Sequence, residues 1–414
     1  MTFIPLLLAL AAAPDYYNDI EPILAANCTV CHSSGQVAPF ALSSYNDAKK
    51  HARLIAAVTA SHRMPIWKPE PDFANFQDER RLSAVQIATL GQWANAGAPQ
   101  GKPPVAQKST ATAPNQTPDL ILQMPAPIRI PADGPDQFLC TVIPIPITED
   151  KWVSKVAFEP GNPKIVNHSL FFLVDQDKAL KKAGAQGYYT CFGGPGGLPP
   201  GALGGWAPGA FPHGLPAGSA RQLKKGLALV MQQHYHPSGK PEQDQSRLKI
   251  FFAKAPVERQ VNGLAVRTRD IHIPAGSTRH IIKASLEIPV PVTLIGTTPH
   301  MHYVGKEIKA TAVLPSGQVI PLISIRDWDF NWQGQYRYAK PIDLPAGTRI
   351  DMEAIYDNSA SNPHNPNSPP KPVEWGEQTT NEMAICFFEY TSSYDGAQRR
   401  ILLSMAKQFV VDLF

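Results

Sequence analysis

Ile165-Val166-Asn167-His168-Ser169-Leu170-Phe171-Phe172-Leu173-Val174 reads as a strand: ten residues rich in β-branched, leucine and aromatic side chains, without glycine or proline. Short runs of the same texture recur at 138–143, 227–233, 248–252, 281–288, 308–314, 352–356 and 384–390. Pro- and Gly-bearing turns separate them, which is the pattern of sandwiches and barrels. Forty-two prolines in 414 residues also work against long helices, because proline lacks the amide donor and clashes with the preceding turn. Nearly 300 residues are too many for one sandwich. Two stacked all-β, jelly-roll-like sandwiches are expected, over 119–258 and 259–414.

Towards the N-terminus the texture changes. Residues 101–118 are rich in Pro, Thr, Ala, Gln and Lys without periodicity and read as a linker. Residues 14–100 are the helical part. The stretch 47–60 has helix-forming composition, with apolar Ala52, Ile55, Ala56 and Ala60, and Ser83 stands as an N-cap for 85–93 with Gly97 as its stop. Residues 1–13 form an apolar run of signal-peptide type, with Ala9-Leu10-Ala11 as a cleavage site but no Lys or Arg before Lys49. Export to the periplasm or another extracytoplasmic space is expected. No later segment is apolar enough to span a membrane. The net charge of +4 is small, and no Lys/Arg cluster with interleaved aromatics suggests a nucleic-acid partner.

Cys28-Thr29-Val30-Cys31-His32 is the C-x-x-C-H pattern of covalent haem attachment. Two thiols at that spacing meet the two vinyl groups on one edge of the porphyrin, and the adjacent imidazole falls beneath the iron. A redox dithiol would want an α/β context, and a zinc knuckle a second Cys/His pair nearby. The expectation is a small all-α cytochrome c-like domain over 14–100 carrying haem c. Met64 is the expected sixth ligand, with His62 as its rival; Met/His ligation raises the potential.

The β region carries a second set of metal-binding side chains. His300-Met301-His302 is H-x-H, so on a strand both imidazoles share a face. His234-Tyr235-His236 repeats the spacing, His168 lies in the opening strand, and Met383 lies in Asn381-Glu382-Met383-Ala384. Imidazoles with a thioether select copper, because soft sulfur stabilises Cu(I). Singly, each of these is better explained by packing.

Together they resemble the copper type II, ascorbate-dependent monooxygenases, the family of peptidylglycine α-hydroxylating monooxygenase and dopamine β-monooxygenase. The similar segments keep the family's order: Asp136-Gln137-Phe138-Leu139-Cys140, Val166 to Phe172, Met231-Gln232-Gln233-His234-Tyr235, Pro299-His300-Met301-His302 with Gly305-Lys306, and Thr380-Asn381-Glu382-Met383. The resemblance implies two sandwiches facing each other across a solvent-filled cleft, with up to two copper ions. The electron-donating copper would be held by His168 and His234, and the oxygen-binding one by His300, His302 and Met383, its catalytic residues. Where the family has two adjacent histidines, this chain has Asn167-His168. His236 and His213 are candidate substitutes, and strand alternation is expected to turn Asn167 away from His168.

Cys140, Cys191 and Cys386 remain after the haem pair, so one disulfide and one free thiol follow. Cys140–Cys191 is the preferred bridge, ahead of a Gly/Pro-rich ordered surface loop running to Gly218. The leading expectation is a copper-dependent monooxygenase that hydroxylates a C–H bond of a small-molecule or peptide substrate with O2. Its electron donor would be the attached haem, ascorbate, or both. The first alternative is a non-catalytic electron-transfer or copper-binding protein with a degenerate first site. The second is a metal-free binding module.

Overall fold

The structure is a computed structural model describing residues 13–411 except 35, 37, 104–115, 192, 193, 198, 209, 211–213 and 377, with side chains to 408. All but the last residue of the expected leader, most of the linker, and His213 lie outside the described residues. Most of the described secondary structure is strand. The chain divides into two units: the described residues among Met1–Trp67 and Glu79–Asn115, and those among Lys68–Asp78 and Gln116–Phe414.

The first unit is built from short helices: a π-helical turn Tyr16–Ile20, then Glu21–Asn27, Tyr45–Lys50, Ala52–Ala60 and Ala84–Asn95. Local chemistry sets their ends. Ser83 and Gln86 form a reciprocal capping box, and Gly97 follows the helix with φ +81, the left-handed conformation that favours glycine after a helix end. The stretch 47–60 is not one helix. It breaks at His51, whose Nδ1 bonds back to the Asp47 carbonyl and whose ring stacks on Phe40 at 4.0 Å. Tyr16, Ile20, Leu24, Leu90 and Trp93 are buried together at the centre of this unit.

The second unit is strand-rich. One eight-stranded sheet runs Leu120–Gln123, Arg247–Phe252, Lys151–Glu159, Ser219–Leu223, Arg259–Thr268, Ala384–Thr391, Val292–His300, Tyr336–Leu344. Its middle is thin: Ser219–Leu223 and Arg259–Thr268 pair in parallel through only Arg259↔Ser219 and Gln260↔Ala220. At its far edge Phe76 bridges Tyr338, and Gln77 and Asn75 exchange backbone hydrogen bonds with Arg337 and Ala339. Residues 75–77 thereby cover donors and acceptors that an edge strand would otherwise expose.

A five-stranded sheet runs Tyr188–Thr190, Gln137–Pro144, Leu227–Tyr235, Val166–Asp175, Gly201–Trp206. Side chains alternate across it. Leu139, Phe171, Leu229 and Met231 pack against Val153, Leu248 and Ile250 of the large sheet. Cys140, Val142 and Val230 face the other way, onto Ala179 and Ala183 of the helix Gln176–Ala183. Burial on both faces explains why 227–231 is apolar without alternation. A four-stranded sheet, His280–Ile288, Thr348–Tyr356, Gly305–Val313, Val319–Ile325, belongs to the C-terminal half. A helix not foreseen from the sequence, Ala397–Val411, packs near Arg259–Thr268 and His280–Ile288.

All eight strand-like runs are strands. The Gly/Pro-rich stretch expected as a loop is not wholly one, since Gly201–Trp206 pairs with Ser169–Leu173. Glycine is required there by close approach: a Cβ on Gly205 would meet Leu170 Cδ2 at 2.8 Å and the Ser169 carbonyl at 2.9 Å. The Cys140–Cys191 disulfide is present and Cys386 is a buried free thiol. Among the described residues, no helix is long and apolar enough to cross a membrane.

Candidate metal centres

His168 and His234 sit directly opposite each other on neighbouring strands. The sandwich core takes Leu229, Met231 and Tyr235, so alternation puts His234 on the outer face of the sheet, with Gln232 and Val230. The two Nδ1 atoms stand 3.4 Å apart. Phe138, across from His234 on the third strand, stacks on its ring at 4.3 Å. On the far side of that ring, Nε2 donates to Asp136 Oδ2 at 2.6 Å, which leaves Nδ1 with the lone pair. Burial alone would raise the Asp136 carboxyl, but its hydrogen bonds with His234 and His236 hold it below its ordinary value.

Asn167 does not turn away from this pair. The register slips between Val166 and His168, so both Asn167 and His168 are spent against His234. An extra residue of this kind suspends alternation. The Asn167 amide oxygen consequently lies 3.1 Å from His168 Nδ1. His236 is placed elsewhere: it is exposed and bonds the second oxygen of Asp136 at 2.8 Å, so it supports the pair through that carboxylate.

The second constellation ends the strand Val292–His300. The rings of His300 and His302 are 5.0 Å apart and nearly perpendicular. Each has its Nδ1 engaged, His300 with Gln333 Oε1 and His302 with the Asn381 carbonyl at 3.1 Å. Both acceptors take an N–H, so both rings carry the lone pair on Nε2. Gln333 is itself aimed by a bond from Nε2 to the Phe330 carbonyl. His300 is paired with Ile385, and Met383, two residues earlier, packs with Ile385 and Ala265. Paired residues share a face, so His300 and Met383 do too. The buried Glu382 carboxyl group, raised by burial to about 8, stitches the segments together, accepting from the amides of His302, Val304 and Met383.

The two pairs face one another within this unit. The buried Phe330 ring lies 6.2 Å from that of His234 and 6.0 Å from that of His302, so the two imidazoles are closer than twice the larger spacing. His168 and His300 keep some surface open to solvent but lie deep among protein atoms. Burial, then the neighbouring imidazoles, push His168 well below its ordinary value. Burial also depresses His300, and burial with His300 beside it takes His302 down to about 3. These three rings are neutral near pH 7, the form that ligates metal. Among the described residues, no three His, Cys, Asp or Glu side chains gather into one metal cage.

In the helical unit, Cys28 caps Glu21–Asn27, and the amides of Cys31 and His32 both bond the Cys28 carbonyl. His32 Nδ1 donates to the Phe40 carbonyl at 3.0 Å, which leaves the lone pair on Nε2. Burial, then the charge of Cys31, raises the Cys28 thiol to about 11, and burial raises Cys31 too. A reactive dithiol needs the opposite shift. Met64 is 38% exposed and lies on a bend after Ala52–Ala60.

Asp136, Gln333, Glu382 and Phe330 were not assigned from sequence, although Asp136 and Glu382 stand inside the resembling segments. A carboxylate beside a histidine strand is the signal that would have found the first.

No protein-family model matches the chain, and no curated protein does. Among solved structures, a subviral particle of infectious bursal disease virus VP2 aligns over 69% of this chain and 76% of that one, at 8% identity and a TM-score of 0.18. The Gx strain of that virus aligns over 63% and 67%, at 10% identity and 0.15. Likeness at that level carries no argument about fold or function.

Proposed function

We propose that the chain is an extracytoplasmic copper-dependent monooxygenase of the ascorbate-dependent type, with an N-terminal cytochrome c domain as built-in electron donor. The observation that carries this reading is the paired imidazoles facing each other across Phe330. His234 is hydrogen-bonded so as to leave Nδ1 with its lone pair, and the second pair so as to leave Nε2. Two nitrogens of one tetrahedral centre with metal–imidazole bonds of ~2.0–2.1 Å stand about 3.3–3.4 Å apart. The His168–His234 spacing fits that figure.

Copper bound at His168 and His234, and at His300, His302 and Met383, would supply one-electron storage and oxygen reduction. The balanced reaction takes a substrate C–H, O2, two electrons and two protons to C–OH and water. The residues' own work is orientation. Asp136, Gln333 and the Asn381 carbonyl fix the rings, and Phe330 places an aromatic ring beside both pairs. His32, with its Nδ1 tied to Phe40, would hold haem iron through Nε2, and Cys28 and Cys31 would supply the thioether attachments. The disulfide is consistent with an oxidising compartment.

Stopped-flow mixing tests the reading. The full chain, haem-loaded and copper-loaded, is reduced and mixed with O2 and a panel of small amines and glycine-extended peptides. Copper-dependent haem reoxidation coupled to hydroxylated product supports it. Reoxidation that ignores copper removes the monooxygenase and leaves the electron-transfer alternative.

A further inference from the structure

We propose that the side-chain oxygen of Asn167 is the third protein donor to copper at His168 and His234, making the first centre a two-nitrogen, one-oxygen site. This rests on the copper reading above and deepens it.

Three observations carry it. The slipped register brings Asn167 round to the face of His168, against the alternation that would hide it. Its Oδ1 sits 3.1 Å from His168 Nδ1, the same nitrogen that stands 3.4 Å from His234 Nδ1, so the amide oxygen and the His234 nitrogen both adjoin that atom. The nearby carboxylate is already engaged, with Asp136 Oδ2 on His234 Nε2 and Oδ1 on His236. The spacing also forces a bend. Two nitrogens 3.4 Å apart are closer than two opposed bonds of ~2.0–2.1 Å allow, so a metal between them is left open on one side. The amide oxygen, a neutral and harder donor than imidazole, fills that side. Asparagine here is a change of ligand rather than the loss of one.

The rival arrangement is metal-free: a protonated His168 Nδ1 shared between Asn167 and His234. A copper titration of the full chain separates the two. His300→Ala with His302→Ala silences the second centre, and this double variant is the background for every arm. Cu(II) affinity is read by chelator competition, and bound imidazoles are counted by pulsed electron paramagnetic resonance. The background protein is expected to bind one copper with two imidazoles. Asn167→Ala should keep both couplings and weaken binding by about tenfold or more. Asn167→His should gain a third coupling, which arises only if position 167 reaches the metal. It is informative even if the alanine variant folds poorly. His213→Ala should change nothing.

Unchanged affinity and spectrum in Asn167→Ala would overturn the proposal, as would no third coupling in Asn167→His. A third imidazole in the background protein that vanishes with His213→Ala would do the same. If the background protein binds no copper at all, the copper reading itself falls, and the ligand assignment with it.

Discussion

Asp136 holds His234 from behind: its Oδ2 receives the Nε2 proton at 2.6 Å, on the side of the ring away from His168. The carboxylate fixes the tautomer, locks the ring against Phe138 and makes Nδ1 a stronger base. The same carboxylate ties down His236, so one residue orders both members of His234-Tyr235-His236.

Replacing Asp136 by alanine should therefore weaken copper at the first pair by about 10–100-fold while the second pair keeps its affinity. Asp136→Asn keeps an acceptor oxygen and should lose less. Calorimetric copper titration of each full-length variant, resolved into two binding events, is the measurement. Equal weakening at both events would mean that the substitution acts through the fold.

Glu382 has a different role. It is fully buried and receives three amides, from His302 and Val304 at 2.8 Å and from Met383 at 3.2 Å. Alanine there would leave those donors buried and unpaired, at ~1–3 kcal/mol each. Loss of at least about 3 kcal/mol of unfolding free energy is expected, along with copper affinity at His300 and His302. Glu382→Gln, which keeps one acceptor oxygen, should fall between. Urea unfolding of the metal-free variants checks both.

Much of this was legible in the sequence, because period and composition report burial. The run 165–174 and its seven relatives are strands for the reason their side chains suggested, and Ser83 caps the helix it was expected to cap. What stayed hidden depended on partners distant in the chain. Gly201–Trp206 looks like loop by composition but pairs with Ser169–Leu173, where the close approach of Leu170 and the Ser169 carbonyl leaves no room for a Cβ at Gly205. Asn167 was expected to face away because alternation is a rule of unbroken strands. A one-residue slip against His234 is invisible without the partner. Gln333 supports His300 from thirty-three residues away, with no motif to announce it.

The disulfide lies under the outer face that carries His234, and Gln232 two residues earlier reaches Cys191 Sγ at 3.6 Å. Its sequence separation is 51, for which loop-closure entropy gives roughly 4 kcal/mol. Cys140→Ser with Cys191→Ser should cost about that much stability. It should also loosen the first pair's grip on copper more than the second's. Denaturant midpoints and copper titrations with and without reductant provide the check, and a reduced wild-type chain should behave like the double variant.

Glu389 ties the two halves of the large sheet together where their strand pairing is thinnest. Its Oε1 accepts from Arg221 at 2.6 Å, on Ser219–Leu223, and its Oε2 lies 3.4 Å from Arg337, on Tyr336–Leu344. Burial would raise this carboxyl, but the two guanidinium groups outweigh it and hold it below its ordinary value. The native state thus takes up the proton at lower pH than the unfolded chain does. The stabilisation is whole above the unfolded carboxyl's pKa and is lost as pH falls through the lower native one. Glu389→Gln leaves two facing arginines uncompensated and should cost about 2–4 kcal/mol at neutral pH. Its stability should then decline less than the wild type's between about pH 7 and pH 3, because the linked proton is gone. Urea unfolding at stepped pH measures both effects. Parallel curves for the two proteins would show that the carboxylate does not fasten this seam.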